Sequence, residues 1–256
     1  MKHPKPARPT KPSQPPNPTD SKKRAQPPKP TDSEKRAQLA ALTGEIVECR
    51  RCPRLVAWRE EVACKKRAAF ANENYWGRPV PGFGDPDASV VVVGLAPAAH
   101  GGNRTGRVFT GDRSGDWLFA SMWRAGFANQ PESLSCSDGL QLKDAYIAAA
   151  VRCAPPANAP TPEERDRCLP FLRRELELLD ELRVVVVLGE FAYRVIANEL
   201  GVRPRPKFGH GVVTSSPGGL WIVCSYHPSQ QNTFTGKLTE PMLDAVLVRA
   251  RELAQL

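Results

Sequence analysis

The chain of 256 residues contains no run of ~18 consecutive apolar residues, so nothing in it reads as a membrane span. No apolar stretch follows its early positive charges, which argues against a secretory signal and for the cytoplasm. Its seven cysteines are an odd number without that secretory context, so no disulfide framework is expected. Almost no apolar residue precedes Leu39, and so little buriable surface cannot offset the entropy of the chain. Residues 1–38 are therefore expected to be a disordered Pro/Lys-rich tail, and 39–256 the folded domain.

Most of the net charge sits in that tail. It holds ten of the 26 prolines, ten basic residues and three acidic ones, which is +7 of the chain's +9. The folded part is nearly neutral, so the pI of 9.4 does not imply a basic folded surface. Two near-copies, PTDSKKRAQ at 18–26 and PTDSEKRAQ at 30–38, are too few for a solenoid. The tail reads as a cationic arm that meets polyanions, or as a plain solvated extension.

Beyond the tail, strands and helices alternate. SVVVVG (89–94) is a continuous β-branched run, as expected of a strand buried on both faces of a parallel sheet. Runs at 146–151, 184–189 and 220–225 are three more. Helices are expected at 114–125 with Ser114 as cap, from Thr161-Pro162 onward, and at 190–200 and 241–253. These elements predict a three-layer α/β/α domain with a mostly parallel four-stranded central sheet. Ligands of such sheets bind outside the carboxyl ends of the strands.

One apparent motif fails there. Gly101-x-x-x-x-Gly106 has the glycine spacing of a phosphate loop, but Arg107-Val108 stand where Lys-Ser/Thr would bind phosphate and magnesium. The segment 94–115 still reads as a ligand-facing loop. Tyr226-His227-Pro228-Ser229, after the fourth strand, puts an imidazole at the rim of the same crevice. The pair Cys49-x-x-Cys52 suggests a metal or a redox dithiol. Cys64, Cys136 and Cys224 read as buried thiols.

The loop GLAPAAHGGNRTGRVFTGD (94–112), the cysteines and the His-Pro-Ser turn resemble the uracil-DNA glycosylase superfamily. Within it they are similar to the iron–sulfur "family 5" (type B) enzymes, over about residues 43–250. The resemblance implies a monofunctional glycosylase that removes uracil, and also hypoxanthine, xanthine or ethenocytosine, from DNA. It implies a [4Fe–4S] cluster on Cys49, Cys52, Cys153 and Cys168. Fourteen residues separate the last two, unlike the tight second knuckle of a zinc ribbon, although zinc in the same site stays open.

Roles follow from the same likeness. Ala96 stands where better-studied members carry a water-activating acid, and Asp112 is the expected replacement. An Asp there would also suit a helix cap. His227 would hydrogen-bond the departing base, Phe109 would stack on it, and Asn158 would read its polar edge beside Gly94 and Ala96. Ala148 and Ala149 stand where family 4 has an Asn, which implies relaxed selectivity. Arg104, Arg107 and Arg113 are expected at phosphates. Gln231 occupies the place of the apolar residue that fills the vacated stack, with Phe234 nearby. The expected partner is damaged DNA, bound by a monomer at the nucleoid, with no membrane. Two other classes stay open: a non-catalytic metal-stabilised nucleic-acid-binding module, and an iron–sulfur electron carrier.

Overall fold

β-Branched runs build the centre of the molecule, a computed structural model that describes residues 31–256. In chain order the elements are α1 (Asp32–Val47), α2 (Pro53–Lys65), β1 (Phe83–Gly84), β2 (Val90–Gly94), α3 (Gly102–Thr105), α4 (Arg113–Arg124) and β3 (Ala145–Ala149). There follow α5 (Pro162–Leu178), β4 (Val184–Leu188), α6 (Glu190–Glu199), β5 (Val213–Ser215), β6 (Trp221–Ser225), α7 (Gln230–Phe234) and α8 (Glu240–Ala254).

The strands order as β1-β3-β2-β4-β6-β5. The four expected strands form the parallel centre, and short antiparallel strands β1 and β5 extend it at each edge. Alternation inside the valine runs divides two cores. Val90, Val92, Val184 and Val186 pack with Leu118, Phe119 and Met122 of α4 and Leu247 of α8. Their neighbours Val91, Val93, Val185 and Val187 face Leu172 of α5 and Tyr193 and Ile196 of α6. Both faces of the sheet are thus covered, which gives the expected three layers. Among the described residues no helix is long and apolar enough to cross a membrane.

Two boundaries differ from expectation. Residues 32–38, read above as tail, form the first turns of α1. Thr31 and Glu34 make a reciprocal capping box, and the Lys35 ammonium is buried against Asp87 (2.7 Å) and Asp180 (2.5 Å). Residues 1–30, the rest of the proposed disordered arm, lie outside the described residues. Helix α4 is capped by Asp112 rather than Ser114, because the Asp112 Oδ1 accepts the Gly115 backbone N–H at 3.1 Å. The cap and Pro at the start of α5 are as read, with Thr161 and Glu164 forming a second capping box.

Candidate active site

Segments leaving β2, β3 and β6 converge beyond their carboxyl ends on a cavity of about 510 Å³. That is ample for one nucleobase and its sugar. Ala96, Phe109, Asp112, Arg113, Asn158, His227 and Gln231 all line it. A second bay of about 770 Å³ opens beside it and shares Asp112, Arg113 and Asn158.

Glycines hold the loop in shape at two points. The Phe109 ring lies over Gly94, where a Cβ would come within 2.6 Å of the ring. Gly94 therefore acts beneath the platform, not as part of the cavity lining. A Cβ on Gly101 would overlap the Asp112 carboxylate. Phe109 itself has φ +54°, a strained value for an aromatic residue, held by the packing around it. Its ring meets the His227 imidazole at 5.8 Å between centroids and 35° between planes.

Burial shifts the acid and the imidazole in opposite directions. Desolvation raises the Asp112 pKa, although the Gly115 and Ser114 N–H groups oppose it by favouring the charged form. Desolvation alone pushes His227 down to about 4, so its ring is neutral at pH 7. Asn232 donates its side-chain N–H to the His227 carbonyl at 2.8 Å and holds the turn from behind.

Two of the three arginines expected at phosphates face inward instead. Arg104 is buried, donating to the carbonyls of His100 and Gly111 and pairing with Glu73, with its guanidinium 3.9 Å from the Phe70 centroid. Buried Arg107 binds Thr110, Ser133 and Asp138. Both are internal ties that shape the loop. Arg113 remains exposed at the rim, its guanidinium 4.8 Å from the centroid of the exposed Phe234 ring.

Sequence reasoning missed Leu95, Ala98, Ser229 and Gln230 in the lining, and the Tyr75–His100 hydrogen bond (3.0 Å) at the bay. Ser229 was within reach: it sits in the turn already singled out, and its hydroxyl caps α7.

Cys49, Cys52, Cys153 and Cys168 line one small pocket together with Arg51, Arg152 and Arg167. Buried Arg59 donates to the Cys153 sulfur at 3.1 Å, while its Nε has no partner. The Arg152 backbone N–H donates to the Cys168 sulfur at 3.3 Å. Burial raises the thiol pKa values, to about 12 for Cys153 and about 11 for Cys168. This cationic, donor-rich surround suits sulfurs that carry negative charge, as they do when metal-bound. No group of three or more His, Cys, Asp or Glu among the described residues is arranged around a single-ion site. Of the other thiols only Cys224 is buried; Cys64 and Cys136 are exposed, since both fall on surface segments.

Fold and cavity together define an α/β/α domain whose cavity is lined by an aromatic face, a buried acid and a neutral imidazole. The chain belongs to the uracil DNA glycosylase superfamily, whose family model matches residues 81–251. It is 53% identical over 219 residues to a type-5 uracil-DNA glycosylase of Mycobacterium tuberculosis, covering 84% of this chain and 82% of that protein. Another type-5 enzyme, from Thermus thermophilus, is 52% identical over 217 residues, which cover 84% and 98% of the two chains. Similarity to the type-4 enzyme of Archaeoglobus fulgidus is lower, at 33% over 141 residues, or 55% of this chain and 61% of that one.

Proposed function

We propose that this protein is a type-5 uracil-DNA glycosylase, which hydrolyses the N-glycosidic bond of uracil in DNA and leaves an abasic site. The observation that carries the reading is the convergence of Asp112, His227 and Phe109 on one cavity beyond the strand ends. An extrahelical base reaches such a pocket only after leaving the stack.

As the glycosidic bond breaks, its electron pair stays with the base and the sugar becomes oxocarbenium-like. The neutral His227 donates a hydrogen bond to the base anion without having to lose a proton first. Asp112, ionised, stabilises the cationic sugar and takes the proton of the water that adds to the anomeric carbon. Phe109 supplies the stacking face. Asn158, exposed on the loop at the mouth, meets the polar edge of the base. With alanines at 148 and 149, the last two residues of β3, no amide there selects pyrimidines, so hypoxanthine, xanthine and ethenocytosine also enter. Among the described residues no amine nucleophile lines the cavity, which supports a monofunctional enzyme. It works as a monomer on the nucleoid in the cytoplasm.

The four cysteines would hold a [4Fe–4S] cluster. Its role is to tie α1 and α2 to the segment after β3 and to α5.

Incubation with a uracil-containing oligonucleotide tests the reading. Free uracil and alkali-labile sites are expected, with no strand cleavage before alkali and no borohydride-trapped DNA adduct. A binding module or electron carrier would release no base.

A further inference from the structure

With Arg104 and Arg107 internal, the phosphates of a bound strand need other cations near the cavity. The forty residues from Leu200 to Thr239 contain four basic side chains and no acidic one. Those four, Arg203, Arg205, Lys207 and Lys237, are exposed. Exposed arginines elsewhere, such as Arg36, Arg174 and Arg249, sit in ion pairs with carboxylates. Among the described residues none of these four does. Arg205 donates to the Asn198 side-chain carbonyl, and Arg203 to its neighbour's backbone.

The strip is joined to the catalytic turn. The Tyr193 hydroxyl donates to the Pro206 carbonyl at 2.6 Å, which pins the Arg-Pro-Arg-Pro-Lys segment along α6. Phe208, the next residue, stacks between Tyr193 (5.8 Å) and Tyr226 (6.2 Å). Lys237 places its ammonium 4.8 Å from the Tyr226 centroid. Tyr226 directly precedes His227. The two halves of the strip thus meet on the ring of the residue next to His227, and Pro204 and Pro206 limit the chain entropy lost on binding.

We infer that Arg205, Lys207 and Lys237, with Arg203 beside them, form a second DNA-contact surface that holds the backbone phosphates flanking the extruded nucleotide. The inference rests on the glycosylase reading above. It assigns phosphate binding to this strip in place of the two inward-facing arginines.

The test compares Arg205→Ala/Lys207→Ala/Lys237→Ala with the parent in salt-dependent binding to duplex DNA. A control, Arg36→Ala/Arg174→Ala/Arg249→Ala, removes equal charge from other faces. The strip variant should bind ~10-fold or more weakly at low salt, with a log affinity–log salt slope shallower by roughly two to three units. Single-turnover uracil excision at saturating enzyme should stay at the parental rate, and the control should keep the parental slope. A parental slope in the strip variant, or an equal loss in the control, overturns the inference and leaves the glycosylase reading standing. A parent that neither binds DNA nor releases uracil overturns both.

Discussion

Burial settles which protonation state His227 offers at neutral pH. His227, held down to about 4 by desolvation, is a neutral donor; Asp112, although raised by its own burial, keeps two backbone N–H donors that favour the charged carboxylate. The excision rate should therefore show no imidazole inflection at the ordinary value of 6.5. A break there that vanishes in His227→Gln would contradict a neutral imidazole. The same shift makes stability pH-dependent. Between 6.5 and about 4 the unfolded chain protonates His227 before the folded one does, so stability falls as pH drops through that window. Gly101 offers a second test, because any Cβ there intrudes on the Asp112 carboxylate. Gly101→Ala should lose ~10²-fold in single-turnover excision by displacing the acid, while DNA binding is retained. Parental turnover in that variant would mean that the Asp112 position is unimportant.

Helix α1 changes what a truncation does. Removing residues 1–30 takes nothing from any described element. Removing 1–38 deletes the capping box and the buried Lys35, leaving Asp87 and Asp180 without it. A lost cap costs about 1 kcal/mol, and the partly exposed ion pairs add a similar amount. The longer deletion should thus melt roughly 4–8 °C below the shorter one. Equal melting temperatures would show that the first turns of α1 contribute nothing.

The elements legible in the sequence were those with completely buried runs or clear start signals. The valine runs show burial as unbroken β-branching, and α5 announces itself with Thr161-Pro162 and two early acids. β1 and β5 are two and three residues long, too short for any period, and exist only because the sheet offers them an edge. α1 was not read: Leu39, Leu42 and Ile46 have helical spacing, but the capping residues ahead of them fall in a repeat that reads as tail. Arg104 and Arg107 looked like solvent cations, because Glu73 and Asp138, which neutralise them, lie 31 residues away in each case. That Asp112 and His227 line one cavity was readable, since each sits in a compact local motif.

At the scale of the whole molecule, two features join distant parts of the chain. The sheet carries the pocket, and the four-cysteine site gathers α1, α2, α5 and the segment after β3. Purified protein should be brown, with broad absorbance near ~400 nm that bleaches on oxidation or reduction. Cys153→Ser or Cys168→Ser should lower the melting temperature and the soluble yield rather than cleanly remove turnover. Colourless protein with one stoichiometric zinc would replace the cluster with a mononuclear site.

The chemistry proposed for the pocket depends most on the Asp112 carboxylate. Single-turnover uracil excision by Asp112→Ala and Asp112→Asn, measured beside DNA affinity, tests it directly. The expected result is a rate loss of ~10²-fold or more in both variants with affinity largely kept. Near-parental rates in both would place the catalytic acid elsewhere and contradict the mechanism.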